Sequence, residues 1–344
     1  MRVSMIAPQS VTMVRGGPWV QALQTARYLP DYGVEVDLFN PWTDYPPGAF
    51  DLAHIFGASL ITYDIAMRLH QFQRKFVVSS IFYTMRSPGF MRLTRRMEGM
   101  AKRIFSGIWT DYSMTAKVCE LGAAVLPNTS DEGRLIELGM EINPGKITMI
   151  PNGVEERFAD ADPGLFVKTY GLRDFILCVG HIGSARKNVL ALINALAKID
   201  HPAVIIGQVH HNSYSRQCLA EAARNRNITI IEGLANDSPM LASAYAACDL
   251  FTLPSLFETP GIAALEAGLA GAKVSITKYG GTREYFLDHA DYVEPSSVAS
   301  IAEGIERGLN RPKTDALRER IQREYLWRRV AEKTAAVYRN VLET

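Results

Sequence analysis

Short apolar runs that alternate with helical repeats restrict this 344-residue chain to a few architectures. Runs such as FILCVG, AVIIG and LFTLPS are continuous and rich in β-branched residues, which is typical of parallel strands covered on both faces. The segments between them, such as NVLALINALAKI, have apolar residues at steps of three and four. This alternation predicts an α/β fold with doubly wound parallel sheets and right-handed crossovers.

Chain length and one turn-rich boundary predict two such domains in tandem. A chain of this length exceeds one ordinary core and suits two domains of roughly 150 residues each. The predicted strand ITMI is followed by the turn Pro151-Asn152-Gly153 and then by a polar, acidic stretch. We therefore predict Rossmann-like domains over 1–155 and 156–325, followed by a C-terminal helix over 326–344.

The C-terminal segment RERIQREYLWRRVAEKTAAVYRNVL has the pattern of one long, charged, amphipathic helix. Its predicted buried stripe comprises Trp327, Val330, Ala331, Thr334, Val337 and Tyr338.

Charge and cysteine spacing argue against several classes of protein. A net charge of +1 gives no electrostatic footprint of a nucleic-acid binder. The four cysteines are widely separated and contain no CxxC pair, which argues against a zinc site and a disulfide framework and favours a reducing cytoplasm. The apolar run at the N-terminus is too short for a signal peptide, and no stretch approaches the roughly 18 apolar residues of a membrane span.

Three loops between a predicted strand and a predicted helix suit an anionic ligand. The first enters a helix at Gly16-Gly17-Pro18, where the glycines permit close backbone approach and the helix N-terminus offers free N–H groups. An ordinary strand-to-helix turn explains the same residues. The loop lacks the G-x-G-x-x-G pattern, which argues against a nicotinamide or flavin enzyme.

The second loop lies in CVGHIGSARKNVL and contains Gly180 and His181 directly after a strand. Arg186 and Lys187 follow, just before a helix that we predict to begin near Asn188. Two adjacent cations at a helix N-terminus suit a phosphate or diphosphate, and two solvated surface cations are the alternative.

The third loop opens PSLFETPGIAALEAGLAGAKV, in which Glu258 and Glu266 are eight residues apart. We predict that a helix begins near Pro260-Gly261, with the proline in its first turn and the glycine amide open to a ligand. Glu258 precedes this helix, and the simpler interpretation is that its negative charge interacts with the positive end of the helix dipole. Glu266 lies on a helix of small apolar residues, so it is either an exposed residue or a buried carboxylate that needs hydroxyl donors, such as those of a sugar or ribose.

Taken in this order, the motifs resemble the retaining GT-B glycosyltransferases of group 1 (glycosyltransferase family 4). Glu258 and Glu266 meet the family's Glu-x7-Glu signature, and YGGTREYF resembles the Gly-Gly-x-x-Glu stretch that follows it. ILCVGHIGSARKNVLALINAL resembles the phosphate-binding strand, loop and helix, and RGGPWVQALQTARYL resembles the Gly-Gly loop and first helix of the N-terminal domain. The resemblance covers most of the chain and is strongest over residues 145–288.

The resemblance implies a GT-B architecture, in which two Rossmann-like domains face each other across a cleft. It also implies that the C-terminal helix over 326–344 crosses back and packs on the N-terminal domain. It implies that Glu266 binds the ribose of a nucleotide, that Glu258 contacts the transferred sugar, and that Lys187 neutralises the diphosphate. The remaining residues that it assigns to donor binding are Gly16, Gly17, Gly180, His181, Thr259, Pro260, Gly261 and Ile262.

The activity implied by the resemblance is retaining transfer of a sugar from a UDP- or GDP-linked donor to an acceptor hydroxyl, in cell-envelope or other glycan or glycolipid synthesis. We expect no cofactor and no metal, because the cations and helix N-termini of these loops can oppose the charge of the diphosphate without one. The catalytic residues would be Lys187, Arg186 and Glu258, which stabilise charge or bind substrate and do not act as nucleophiles. A non-catalytic nucleotide-sugar-binding protein and a GT-B-fold nucleotide-sugar epimerase are the alternatives.

The chain departs from the family pattern at two places. His181 stands where many members have an arginine. SSIFYTM lacks the histidine that many members have after the corresponding strand, and His54 lies on a different strand.

A basic segment from Ala66 to Phe105 contains nine lysines and arginines but only one acid, Glu98. Phenylalanine, leucine and methionine residues are interleaved with the cations. This pattern predicts contact with an anionic lipid surface or a phosphorylated acceptor, and a solvated helix face over core methionines is the alternative. We expect a cytoplasmic protein that contacts no nucleic acid and whose membrane or acceptor patch comprises Arg92, Arg95, Arg96, Lys102 and Arg103.

Overall fold

The computed structural model describes residues 1–9 and 16–344, which form two α/β units. The N-terminal unit comprises Met1–Gly153 and Trp327–Thr344, and the C-terminal unit comprises Val154–Leu326. Every strand pair in both sheets is parallel. The α/β fold class predicted from the alternating apolar runs is confirmed.

The sheet of the N-terminal unit has the order β2-β1-β3-β4-β5. Its strands are β1 (Arg2–Ile6), β2 (Glu35–Leu38), β3 (Leu52–Phe56), β4 (Phe76–Ser79) and β5 (Ala124–Val125). The accompanying helices are α1 (Gly17–Tyr28), α2 (Leu60–Gln71), α3 (Pro88–Ala101), α4 (Asp111–Leu121) and α5 (Ser130–Met140). The core of this unit is formed by the apolar residues of the central strands together with the inner faces of the helices.

The strand predicted at ITMI is wrong, because only Ile147 forms a bridge, to Val125. The neighbouring strand β5 is only two residues long and offers little edge for pairing. Met149 of the same run is exposed, so this segment gains little from burial in a sheet.

The sheet of the C-terminal unit has the order β11-β10-β9-β6-β7-β8. Its strands are β6 (Ile176–Val179), β7 (Ala203–Gly207), β8 (Ile228–Glu232), β9 (Leu250–Leu253), β10 (Lys273–Thr277) and β11 (Ala290–Val293). Its helices are α6 (Gly164–Tyr170), α7 (Val189–Leu196), α8 (Ser213–Ala222), α9 (Pro239–Ala247), α10 (Ile262–Leu269), α11 (Thr282–Phe286), α12 (Val298–Asn310) and α13 (Ala316–Glu324).

The strand order of this sheet reverses between β6 and β9, which are neighbours although two strands (β7 and β8) and three helices (α7, α8 and α9) separate them in the sequence. In doubly wound sheets such a switch point opens a crevice at the carboxyl ends of the strands, where ligands bind. The loops that follow β6 and β9 are the second and third loops singled out in the sequence. The fold therefore brings them to one place.

The long C-terminal helix predicted from the sequence is wrong, because the segment forms two helices, α13 and α14 (Trp327–Glu343). The chain leaves the helical path at Tyr325, whose carbonyl oxygen accepts a hydrogen bond from the backbone N–H of Val154 (2.8 Å). The Tyr325 ring stacks on Tyr285 at 4.6 Å between centroids, which fixes the break within the C-terminal unit.

The buried stripe predicted for the last helix is confirmed in α14. Its members are all buried: Trp327, Val330, Ala331, Thr334, Val337 and Tyr338. The Tyr338 hydroxyl lies 2.6 Å from His54 Nδ1, and His54 Nε2 lies 2.9 Å from Ser79 Oγ. Burial lowers the pKa of His54 to about 3, so this histidine is a neutral structural group that joins β3 and β4 to α14.

In residues 1–9 and 16–344, no helix combines the length and apolar character needed to cross a bilayer.

We expect Tyr338→Phe to lower the free energy of unfolding by about 1–2 kcal/mol, because it leaves a buried imidazole nitrogen without its partner while keeping the ring in place. Urea unfolding measures this loss. Tyr170→Phe, at a partly exposed tyrosine that packs on Phe166, is the matched control and should change stability by much less. Equal losses in the two variants would show that the His54 contact contributes nothing.

Candidate active site

The loops after β6 and β9 are joined by hydrogen bonds at the switch point. The backbone N–H of Leu256 donates to the carbonyl of Arg186 (2.8 Å), and Arg186 Nη1 donates to the carbonyl of Phe257 (3.0 Å). Asn188 Nδ2 donates to the carbonyl of Pro254 (3.0 Å). These contacts make one structure from two loops that are about 70 residues apart in the sequence.

Glu258 is buried and ion-paired with both cations of the second loop. Its Oε1 atom lies 2.6 Å from Lys187 Nζ and 3.3 Å from Arg186 Nη1. Burial alone would raise the pKa of this carboxyl, but the two cations outweigh it and the net pKa is lowered. Glu258 is therefore ionised at neutral pH, and it holds Lys187 and Arg186 in one cluster with a net charge of one positive unit.

The two alternatives that the sequence left open for these residues are both excluded by this geometry. Arg186 and Lys187 are not simply solvated surface cations, and Glu258 is more than a partner of a helix dipole. The predicted start of α7 is confirmed, since the helix begins at Val189 and Asn188 occupies its N-cap position.

Gly280 allows the chain to pass close to Glu258. The backbone N–H of Glu258 donates to the carbonyl of Tyr279 (3.1 Å), and Gly280 has a φ of 95°. A Cβ atom at Gly280 would overlap the backbone of Glu258, so a side chain is excluded here for steric as well as conformational reasons. The YGG stretch thus fixes the position of the glutamate.

The predicted place of Pro260 in the first turn of α10 is wrong. The helix begins at Ile262 with Gly261 as its N-cap at a φ of 93°, and Pro260 precedes that cap. The peptide bond between Thr259 and Pro260 is cis. Thr259, Pro260 and Gly261 therefore form the turn that joins Glu258 to the helix.

Glu266 lies on α10 and is buried, so the alternative of an exposed helical residue is excluded. Its Oε2 atom accepts a hydrogen bond from the Tyr245 hydroxyl (2.7 Å), and its Oε1 atom accepts one from Asn236 Nδ2 (3.0 Å). Burial raises the pKa of Glu266 to about 7, although these two donors act in the opposite direction.

Tyr245 and Asn236 were not identified from the sequence. Tyr245 is the one large polar side chain in α9, a helix otherwise made of small and apolar residues, and this contrast is the signal that could have identified it. Asn236 lies in the loop before α9 and offers no such signal. Its carbonyl accepts a hydrogen bond from Arg157 Nη2 (2.5 Å), whose guanidinium lies 4.0 Å from the centroid of the Phe158 ring.

Gly180 and His181 follow β6 as predicted, and His181 is half-buried. Burial lowers the pKa of His181, and the neighbouring His210, Lys187 and Arg186 lower it further, so the ring is neutral. The ring centroids of His181 and His210 are 5.2 Å apart. Within the described part of the chain, His181 Nδ1 is buried without a hydrogen-bond partner.

The helix predicted to begin at the first loop is α1, which starts at Gly17 with Gly16 as its N-cap and Pro18 in its first turn. The rest of that loop, residues 10–15, lies outside the described residues. Gly16 and Gly17 belong to the N-terminal unit.

The basic segment of the N-terminal unit divides into two groups. Arg92 Nη1 donates to the carbonyl of Leu138, and Arg95 Nη1 donates to the carbonyl of Met140 (2.6 Å), so both arginines cap the end of α5. These two cations are structural, because orphan carbonyls at a helix end need donors. Arg96, Lys102 and Arg103 are exposed.

No group of three or more His, Cys, Asp or Glu side chains that could hold a metal ion occurs in residues 1–9 and 16–344.

Comparison with known proteins gives one family and one fold. Residues 166–324 match the family model described as glycosyl transferases group 1. An uncharacterized glycosyltransferase of Methanocaldococcus jannaschii is 28% identical over 192 residues, which are 52% of this chain and 48% of that protein. The chain spans about half the length of the curated relatives that it matches first.

Solved structures resemble the whole chain at low sequence identity. Sucrose-phosphate synthase from Thermosynechococcus elongatus has a TM-score of 0.77 at 16% identity and covers 100% of this chain and 99% of its own. HepE of Anabaena, solved in complex with UDP-glucose, has a TM-score of 0.74 at 16% identity and covers 99% of this chain and 100% of its own. At sequence identities this low, the structural similarity establishes the fold alone.

We expect Gly280→Ala to lower the free energy of unfolding by roughly 1–3 kcal/mol more than Gly271→Ala does. Both glycines have a positive φ, 95° and 89°, but only a Cβ at Gly280 would meet another part of the chain. The difference between the two variants therefore isolates the overlap with the Glu258 backbone from the conformational strain. Urea unfolding measures it, and equal losses would contradict the close approach.

Proposed function

We propose that this chain, whose residues 166–324 belong to the group 1 glycosyltransferases and whose fold is GT-B, transfers a sugar from a UDP- or GDP-linked donor to an acceptor hydroxyl. The reaction would retain the anomeric configuration and need no metal ion. The observation that carries the proposal is the cluster of Lys187, Arg186 and Glu258 at the switch point of the C-terminal sheet. HepE, solved with UDP-glucose, supports a nucleotide sugar as the donor.

The cluster suits a leaving diphosphate. As the anomeric C–O bond breaks, negative charge grows on the diphosphate and positive charge grows on the sugar. Lys187 and Arg186 would oppose the first charge, and Glu258 would keep both cations oriented before the donor arrives. Cations that are already in place need no reorganisation at the moment of reaction, which is the main source of such stabilisation. Two cations beside one carboxylate leave a net positive charge for the diphosphate.

The carboxylate of Glu266 suits a pair of ribose hydroxyls. Tyr245 donates one hydrogen bond to Oε2 of Glu266, and Asn236 donates one to Oε1. An ionised carboxylate can accept about four hydrogen bonds in total. One further site on each oxygen remains for a ligand hydroxyl. Tyr245 and Asn236 would therefore act as positioning residues, and Arg157 would support them by holding the backbone of Asn236.

The turn Thr259–Gly261 and the first residue of α10, Ile262, would bring backbone groups to the sugar and the diphosphate. Gly180 and His181 would line the same crevice, with the neutral imidazole in place of the usual arginine. For Gly16 and Gly17, the assignment to donor binding rests on the family resemblance. Glu258 would contact the transferred sugar in addition to its two cations.

We propose that the acceptor is a sugar or a lipid-linked hydroxyl compound in cell-envelope or other glycan or glycolipid synthesis, and that the protein works in the cytoplasm. A non-catalytic nucleotide-sugar-binding protein would bind the donor but release no nucleoside diphosphate. An epimerase on the same fold would convert the sugar of the donor without transferring it. Product analysis therefore separates the three activities.

We expect Lys187→Ala to lower turnover roughly 10²- to 10³-fold, because it removes one contact to the leaving diphosphate. The measurement is release of nucleoside diphosphate from a panel of UDP- and GDP-sugars. Lys198→Ala, at an exposed lysine just beyond the end of α7, is the matched control and should retain full turnover. Full activity of Lys187→Ala would refute the proposed donor site. If no nucleotide sugar raises the thermal unfolding midpoint of the wild-type protein, the proposed donor class is wrong.

We expect affinity for the nucleotide sugar to fall as the pH drops below about 7, because protonation of Glu266 weakens its acceptance of ribose hydroxyls. At one pH unit below its pKa only about a tenth of the carboxyl is ionised, so the loss approaches tenfold. Calorimetric titration with the nucleotide sugar that binds best measures this dependence.

The Glu266→Gln variant should bind the nucleotide sugar weakly, and its affinity should not fall with pH in this range, because the amide does not titrate. Tyr245→Phe removes a donor that lowers the pKa of Glu266, so the fall in affinity should move to higher pH. If Tyr245 had only a structural role, Tyr245→Phe would weaken binding of the nucleotide sugar without changing the pH at which the affinity falls. An unchanged pH profile in Glu266→Gln would contradict the ribose assignment.

A further inference from the structure

The outward face of α3 is apolar where a surface helix is ordinarily polar. Phe90, Leu93, Met97 and Met100 recur at steps of three, four and three, so they lie on one face of the helix. Their side chains are between 45% and 59% exposed. The buried residues Met91 and Glu98 lie on the opposite face. This helix therefore presents apolar residues both to the protein and to the solvent.

The apolar face continues into the loop that follows α3. Ile104, Phe105, Ile108 and Trp109 are between 36% and 78% exposed. We call these four residues and the four on α3 the apolar surface: Phe90, Leu93, Met97, Met100, Ile104, Phe105, Ile108 and Trp109. A contiguous group of exposed large apolar residues is uncommon on a protein that stays in water and marks an interaction site.

The loop is held in place by a buried carboxylate. Glu98 Oε2 accepts a hydrogen bond from the backbone N–H of Thr110 (2.9 Å), and Glu98 Oε1 accepts one from Ser113 Oγ (2.6 Å). Lys102 Nζ lies 2.5 Å from Glu98 Oε1 and 3.4 Å from the centroid of the Trp109 ring. The exposed apolar residues therefore sit on a fixed backbone that is tied at both ends of the loop.

The charges along α3 and the loop that follows it are almost all positive. Residues 85–109 contain six lysines and arginines and a single acid, Glu98, which is buried and already paired. Arg92 and Arg95 are used to cap α5. The exposed cations that remain are Arg86, Arg96, Lys102 and Arg103. Their long side chains can keep contact with the apolar surface while their charged ends reach toward anions.

We propose that the apolar surface docks onto an anionic phospholipid bilayer. The apolar side chains enter the boundary between headgroups and acyl chains, and Arg86, Arg96 and Arg103 contact lipid phosphates. Trp109, which lies beneath Lys102, fits the headgroup level, where tryptophan is enriched at membranes.

The exposed acids beside the apolar surface are Asp111, beyond Trp109, and Glu141, which is paired with Arg95. The exposed cations outnumber them, so the apolar surface matches a negative lipid surface in charge as well as in polarity. The proposal concerns the N-terminal unit and does not depend on the proposed sugar transfer.

Co-sedimentation with lipid vesicles tests the proposal. The wild-type protein should sediment with vesicles in which about a third of the lipid is phosphatidylglycerol, should be released by high salt, and should stay in solution with pure phosphatidylcholine. Two double variants separate the contributions. Arg96→Gln with Arg103→Gln should lower partitioning roughly 30-fold, and Leu93→Ser with Met97→Ser should lower it about tenfold.

Matched control variants lie in the C-terminal unit. Arg216→Gln with Arg226→Gln makes the same change in net charge at exposed arginines, and Leu165→Ser with Leu219→Ser makes the same kind of apolar change. Both controls should partition like the wild type. Thermal unfolding midpoints check that each variant is folded, and Ile104→Ser with Phe105→Ser, in the loop, replaces the α3 variant if that one unfolds.

Equal recovery with neutral and anionic vesicles would overturn the proposal, and so would equal losses in the test and control variants. Sedimentation equilibrium without lipid tests a second copy of the chain as the occupant. A dimer that dissociates in Leu93→Ser with Met97→Ser would assign the apolar surface to self-association and reject the membrane.

Discussion

The structure of the site depends on the burial of one charged carboxylate. Glu258 has lost its contact with water, and burying a charge without a partner costs far more than a single domain can tolerate. Lys187 and Arg186 provide the opposite charges, and both come from a loop about 70 residues earlier in the chain. The hydrogen bonds between the two loops, the turn at Thr259–Gly261 and the absence of a side chain at Gly280 all serve to hold this arrangement.

The two glutamates of the Glu-x7-Glu signature have opposite electrostatic settings. Glu258 is paired with cations, so its pKa is lowered. Glu266 is equally buried, but its partners are a hydroxyl and an amide, so its pKa is raised to about 7. A difference of this kind arises from the environment alone, since the two side chains are chemically identical. It makes one carboxylate a permanent charge and the other a group that titrates near neutral pH.

The fold was largely predictable because parallel strands that are covered on both faces leave continuous apolar runs. The prediction failed where that signal weakens. ITMI is apolar, but it lies beside a two-residue strand and forms only one bridge. Strand β11 contains the charged Asp291, so the apolar pattern did not predict this strand. The C-terminal segment has an unbroken helical pattern, yet the pairing of Tyr325 with Val154 interrupts it. In the last case a contact with a distant part of the chain overrides the local pattern.

The sequence by itself determined which residues the switch point would contain, because a strand followed by a glycine-rich or charged loop and a helix is a local pattern. It also determined that an unusually basic and apolar segment exists. Only the tertiary structure decided the partners. It paired Glu258 with Lys187 and Arg186, and Glu266 with Tyr245 and Asn236. It also used Arg92 and Arg95 as caps of α5, which left Arg96 and Arg103 on the surface. Such pairings depend on the meeting of groups that are distant in the chain, and no local pattern encodes which groups will meet.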